Sequence, residues 1–281
     1  MDSNSPDRLD SLLRRFGVTA RMFHSGPLCG INDIPIVPGE GHLHVIRSGG
    51  LEVRHPKHPV LQITQPTVLF YPRPLSHRFI SDVQQGADMV CANLQFSGGA
   101  LNPVAQALPA VLVMPINQLP NLQATIDLLF AEAFAGKCGS RVAVDRLFDV
   151  LLVQLLRHVL ENDQHSGGML AGLSHTQLRR ALVAMHEQPA EAWNLEQLAQ
   201  RAGMSRTAFA TGFKNILGMT PGDYLATWRM SLAQDLLLRG KPIKLIANEV
   251  GYASALALSR VFKAYVGMTP HEWKKMQTGA E

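Results

Sequence analysis

Two histidines one residue apart, His42 and His44, are the side chains of this sequence best placed to do chemistry. They lie in the run Gly39-Glu40-Gly41-His42-Leu43-His44. In an extended strand residues two apart point to the same side, so the two imidazoles face in together or out together. Facing in, they offer nitrogen ligands to a divalent metal, polar contacts to an organic molecule, or plain core packing. The thiols offer less. Cys29, Cys91 and Cys138 form an odd set without paired or metal-type spacing, which argues against a disulfide framework and fits a reducing compartment. Cys91 sits in an expected strand, Val90-Cys91-Ala92-Asn93-Leu94, where a free Cys usually packs as a small apolar residue. No nucleophile and base stand together as an acyl- or phosphoryl-transfer enzyme would need.

The elements that must hold these groups change character along the chain. Asp7–Phe16 reads as a short amphipathic helix with Leu9, Leu12, Leu13 and Phe16 on one face. From Val18 to Leu112, short apolar runs (Leu43–Ile46, Leu51–Val53, Val68–Tyr71, Met89–Phe96) alternate with Gly, Pro and Asn/Asp breaks, as in a small β-barrel or sandwich. Helical spacing takes over from Leu122. Over Arg141–Leu160 a broad stripe from Val144 to Val159 requires a partner surface, either the barrel wall or a second subunit. The polar, glycine-containing stretch Asn162–Gly168 is the expected linker, and everything after Leu173 reads as helix. The fold class expected is therefore α+β: a barrel-like β domain with helices over residues 1–165, and an all-α domain over 174–281.

Composition narrows the partners. Of the 281 residues 46% are hydrophobic and 17% charged, enough apolar material for two cores and no signature of disorder. The formal charge is only +4, but from Ser174 onward 13 Lys/Arg face 8 Asp/Glu, while the preceding part is balanced. The basic excess belongs to the helical half and suits an anionic partner. The first residues lack the basic and apolar segments of a signal peptide, and no apolar run is long enough to span a bilayer, so a cytoplasmic protein without membrane contact is expected.

The helical half also repeats itself. Leu198-Ala199-Gln200-Arg201-Ala202-Gly203 parallels Ile246-Ala247-Asn248-Glu249-Val250-Gly251, and Phe213-Lys214 through Gly218-Met219-Thr220-Pro221 parallels Phe262-Lys263 through Gly267-Met268-Thr269-Pro270. In each copy a first helix ends at a glycine suited to the left-handed turn. A second helix begins at a serine N-cap, Ser205 or Ser254, and packs through Phe209 with Phe213 or Leu258 with Phe262. Thr-Pro then opens the next helix. This is a helix-turn-helix written twice, joined by a helix over Gly222–Leu238 with Leu225, Trp228, Leu232 and Leu236 inward. Lys214 and Lys263 follow the buried phenylalanines and fall where a DNA phosphate would lie.

These motifs, above all Ala247-Asn248-Glu249-Val250-Gly251-Tyr252 with Ser259-Arg260-Val261-Phe262-Lys263 and Gly267-Met268-Thr269-Pro270, resemble the AraC/XylS family of bacterial transcription regulators over about 100 residues. The resemblance implies sequence-specific binding of double-stranded promoter DNA and contact with RNA polymerase if the protein activates. It places base readers at Arg206, Thr207, Ala210 and Thr211 in the first unit and Ala255, Leu256 and Arg260 in the second, beside Ser205 and Ser254. Ala255 and Leu256 depart from a polar reading surface and can touch only a thymine methyl. The first unit is therefore expected to carry more of the direct readout, and the second to rely on phosphate and shape. Arg229 of the joining helix is either a phosphate contact or a structural one.

The first half is similar to the cupin-type effector and dimerisation domain of such regulators. Gly39–His44 resembles the first cupin motif and Tyr71-Pro72-Arg73-Pro74-Leu75-Ser76-His77 the second. The resemblance implies that His77, on a neighbouring strand, completes a three-imidazole set with His42 and His44. The carboxylate of the cupin pattern is missing, since Ser48 and Gly49 stand in its place and Glu52 is poorly spaced. A divalent metal, an organic effector and structural histidines thus remain three readings, with no cofactor required. Some cupin-bearing relatives sense oxidants through cysteine, which makes Cys91 with Cys29 a fourth candidate. A homodimer held by the Leu122–Leu160 helices is expected. Two rivals stand beside this regulator: a metal-dependent cupin enzyme with a DNA-binding tail, and an architectural DNA protein indifferent to sequence.

Overall fold

A computed structural model of the chain describes residues 7–97, 102–162 and 167–278. The expected linker at 162–168 lies largely outside them. In chain order, α1 (Asp10–Arg15) is followed by eight strands: β1 (Val18–Leu28), β2 (Ile31–Ile34), β3 (Glu40–Ser48), β4 (Leu51–His55), β5 (His58–Ile63), β6 (Thr67–Tyr71), β7 (His77–Ser81) and β8 (Ala87–Phe96). A short α2 (Pro103–Ala107) precedes β9 (Leu112–Pro115), α3 (Gln123–Phe134) and α4 (Ser140–Asn162). Then come α5 (Gly168–Ser174), α6 (Leu178–Glu187), α7 (Leu195–Ala202), α8 (Arg206–Leu217) and α9 (Pro221–Leu238). The last three are α10 (Ile243–Glu249), α11 (Ala255–Val266) and α12 (Pro270–Thr278).

The chain divides into two compact units. Residues 18–100 and 108–162 form the β unit; residues 1–17, 101–107 and 163–281 group in the helical one. Every strand read from the alternating runs is present, in two antiparallel sheets ordered β1-β8-β3-β6-β9 and β2-β7-β4-β5. The barrel is thus an open pair of sheets. They share a core in which Ile46, Leu69 and Met89 of the first sheet join Val53 and Phe79 of the second. β1 is an edge strand, and α4 covers it: Asp149 accepts from the Ala20 amide at 2.9 Å and Asp145 from the Met22 amide at 2.7 Å. Edge amides that would otherwise stay open for another strand are thereby satisfied.

In the helical unit, caps set the element boundaries as expected. Ser205, Thr220 and Ser254 each accept a hydrogen bond from the third backbone amide of their helix, and Pro221 occupies the first turn of α9. Thr269 and Glu272 close a reciprocal capping box before Pro270. A further capping box, Asn194 with Gln197, opens α7. The pairs α7–α8 and α10–α11 are the two helix-turn-helix units, and α9 joins them through buried Leu225, Trp228, Leu232 and Leu236. The N-terminal helix belongs to this unit as well: Phe16 meets the Trp228 ring edge-on at 4.9 Å. Among the described residues no helix is long and apolar enough to cross a membrane.

The two turn glycines differ in what surrounds them. Gly203 has φ +66° and an added Cβ would meet only the end of Arg180, at 3.9 Å. Gly251 has φ +79° and an added Cβ would lie 2.7 Å from the Ala190 backbone. Gly203→Ala should therefore cost about 1 kcal/mol, the left-handed penalty alone. Gly251→Ala should cost roughly 3 kcal/mol or more, because backbone must also move. Urea denaturation of the two variants checks this, and equal losses would show that the clash is relieved freely.

Candidate functional site

Strand alternation delivers His42 and His44 to the interior of the β unit, 2% and 0% exposed. His77, 2% exposed, meets them there, so the three expected imidazoles are brought together. It arrives from the second sheet. His42 pairs in register with Tyr71 on β6, whereas His77 lies on β7 of the other sheet. Pro72 and Pro74, which cannot donate to a ladder, end β6 and let the chain cross over.

The geometry assigns protons. The Nδ1–H of His77 donates to the Leu75 carbonyl at 2.8 Å, leaving its Nε2 as an acceptor. His44 then donates from Nε2 to His77 Nε2 across 3.0 Å. The Nδ1 atoms of His42 and His44 are buried without a hydrogen-bond partner. Burial pushes all three pKa values down: His42 below the usual range, His44 well below it with His77 and His42 adding to the effect, and His77 to about 4. The cluster is thus neutral at physiological pH, the protonation state in which imidazole binds metal.

The sequence reading missed two neighbours. Tyr71 stacks on His77 with ring centres 4.2 Å apart, and its hydroxyl lies 3.0 Å from Nε2 of buried His55 on β4. Strand periodicity carried the signal for His55, which follows Leu51 and Val53 on the inward face. Glu52 points the other way and pairs with Arg54 and Gln62.

Three nitrogens within 4.8 Å of one another match the donor set of a first-row divalent ion. The observations that test the fit favour it. The carbonyl of Leu75 orients His77 as an outer-shell partner orients a ligand, and two buried ring nitrogens lack partners. No carboxylate joins the set among the described residues. The thiols lie apart in character: Cys91 is buried in the core with its pKa pushed up by burial, and Cys29 is exposed.

In the helical unit, Ser205, Arg206, Thr207, Thr211 and Lys214 are exposed, and Ala210 is half-buried between them. In the second unit Ser254, Arg260 and Lys263 are exposed, Ala255 is half-buried, and Leu256 presents 62% of its surface. Arg206 and Arg260 form no ion pair with a described residue. Arg229 is occupied otherwise. It donates to the carbonyls of Pro189 at 2.7 Å and Glu191 at 2.9 Å and lies over the Tyr252 ring.

Comparison with known proteins agrees with this architecture. Residues 7–161 match the family model described as Cupin, and residues 198–276 the one described as Helix-turn-helix domain. An uncharacterized HTH-type transcriptional regulator of Haemophilus influenzae is 34% identical over 66% of this chain and 62% of its own length. A putative AraC-like transcription regulator of Streptomyces lividans is 33% identical over 71% of this chain and 67% of its own length. Among solved structures, the DNA-binding domain of AdpA in complex with a target DNA covers 38% of this chain and all of that one, at 26% identity and a TM-score of 0.34. A β-sheet domain followed by tandem helix-turn-helix units defines a class of two-part transcription regulators. The chain belongs to the AraC-type regulators that carry an N-terminal cupin domain.

The neutral buried histidines carry a consequence for stability. His77 and, in the helical unit, His186 have folded pKa values near 4 and near 3, against 6.5 for a free imidazole. The unfolded chain therefore takes up protons that the folded chain refuses. Their contribution is intact above about pH 6.5 and is lost as pH falls toward these folded values. The urea midpoint should drop between about pH 7 and about pH 4.5, and His77→Gln should flatten the decline. A midpoint independent of pH in that window would contradict the assignment.

Proposed function

We propose that this protein is a sequence-specific regulator of transcription whose grip on promoter DNA responds to the state of the histidine cluster in its β unit. The observation that carries the DNA half is the pair of serine-capped helices, α8 and α11, whose exposed cations Arg206, Lys214, Arg260 and Lys263 form no ion pair with a described residue. Residues 174–281 are the DNA-binding part in this reading and residues 1–165 the sensing part. Exposed Leu128 and Phe134 on α3 with Val142 and Val150 on α4 support pairing of two copies through these helices. RNA polymerase is a further partner if the protein activates.

The signal best matched by the cluster is a divalent cation that prefers imidazole, held by His42, His44 and His77. A bound cation would supply positive charge and a fixed geometry where neutral rings otherwise meet. Occupancy would link segments from both sheets, since His42 and His44 come from β3 and His77 from β7.

Two measurements test this reading. Arg206→Ala should weaken binding to the promoter site by roughly 1–3 kcal/mol in fluorescence anisotropy, the worth of a bidentate base contact, while leaving random DNA nearly unaffected. An equal loss on both would make Arg206 a phosphate contact only. Elemental analysis of protein purified without tag or chelator should find about one equivalent of metal per chain, absent from His42→Ala. Metal-free protein that still regulates would leave the histidines to an organic effector or to packing.

A further inference from the structure

A cleft of about 370 Å³ opens in the helical unit against α9, within the range of roughly 300–1,000 Å³ typical of small-molecule sites. Its apolar wall is built from Met169, Leu217, Met219, Trp228 and Tyr265. Thr227, Ser231 and Gln234 add a polar strip along α9, and none of the lining residues is charged. Ser231 already donates to the Thr227 carbonyl, at 3.2 Å, but its oxygen keeps acceptor capacity. Gln234 is different. Its side chain is only 6% exposed, lines the cleft, and makes no hydrogen bond with any described residue. Its amide atoms meet solvent only through the cleft, and the indole Nε1 of Trp228 in the same wall is buried without a partner, a demand that native proteins almost always satisfy.

We propose that this cleft is a second ligand site, in the DNA-binding part of the chain, for an uncharged and largely apolar small molecule. The ligand carries a hydrogen-bonding group that meets the Gln234 amide. The absence of lining charge disfavours ionic ligands, whose desolvation would go unanswered. The two methionines give a wall that adapts to irregular apolar shapes. The position also matters: the cleft touches the end of the first helix-turn-helix at Leu217 and Met219, the joining helix, and Tyr265 of the second recognition helix. A ligand there bears on the spacing of the two recognition helices, so its binding is coupled to that of DNA. This coupling rests on the DNA-binding reading above; the site itself does not.

The test uses the full chain and N-phenyl-1-naphthylamine, a neutral fluorescent probe with one N–H donor. Saturable fluorescence enhancement is expected. Gln234→Leu should weaken it by about fivefold, the worth of one hydrogen bond. Ser231→Trp, which fills the cleft, should abolish it, and Arg54→Ala on the surface of the β unit should leave it unchanged. Absence of saturable binding, binding undiminished in both the Gln234 and Ser231 variants, or loss only in Arg54→Ala would each overturn the site. Circular dichroism verifies folding, and if Ser231→Trp does not fold, the near-isosteric Gln234→Leu decides. Saturating probe should also change promoter affinity by about fivefold or more. An unchanged affinity would overturn the coupling, and a chain that binds no DNA would overturn the regulator reading while probe binding still reports the site.

Discussion

The packing of the joining helix α9 is the constraint on which the helical unit depends. Two recognition helices are useful on one duplex only if their separation is set, and a helix of 18 residues sets it only if it cannot roll or shift. Trp228 prevents this. Its indole stacks on buried His186 at 3.9 Å and receives the edge of Phe16, while Tyr224, one turn earlier, holds His186 Nε2 at 2.8 Å through its hydroxyl. Arg229 then ties the same turn to two backbone carbonyls after α6. Aromatic area, a buried hydrogen bond and a forked guanidinium thus fix one helix from three sides.

The β unit solves a different problem, how to keep several imidazoles inside an apolar core. The answer is neutrality and mutual orientation. Burial lowers the proton affinity of each ring, and the Leu75 carbonyl starts a chain of donors running from His77 back to His44. Phe79 packs at 4.9 and 5.0 Å from His44 and His77, and Tyr71 lies flat on His77. The rings therefore have little freedom, which preorganises any ligand set they form. Two buried Nδ1 atoms remain without partners, as does that of His186, but only here do three imidazoles converge among the described residues.

Much of this was legible from residue types alone. Serine caps, turn glycines and Thr-Pro starts are local devices, and each worked where the repeat placed it. β3, β4, β6 and β8 followed from short apolar runs, whereas β1, β2, β5 and β9 carried no such run. What escaped was contact between segments distant in sequence. His55 and Tyr71 were unremarkable until β4 and β6 met β7, and the destination of Arg229 was open because its partners are backbone carbonyls some 40 residues away. The route of His77 was open for the same reason: alternation says which side a residue faces, but not which sheet its strand joins.

Local chemistry within a few residues settled four of the strands, the capped helix starts and the doubled helix-turn-helix, because caps, left-handed glycines and side-chain periodicity act over one or two turns. Tertiary structure alone decided which neutral histidines share a core and what holds α9. It also decided that Asp145 and Asp149 close a sheet edge and that Gln234 lines a cleft without a partner. Those outcomes depend on which surfaces exclude water together, a property of the assembled chain that no short stretch of sequence contains.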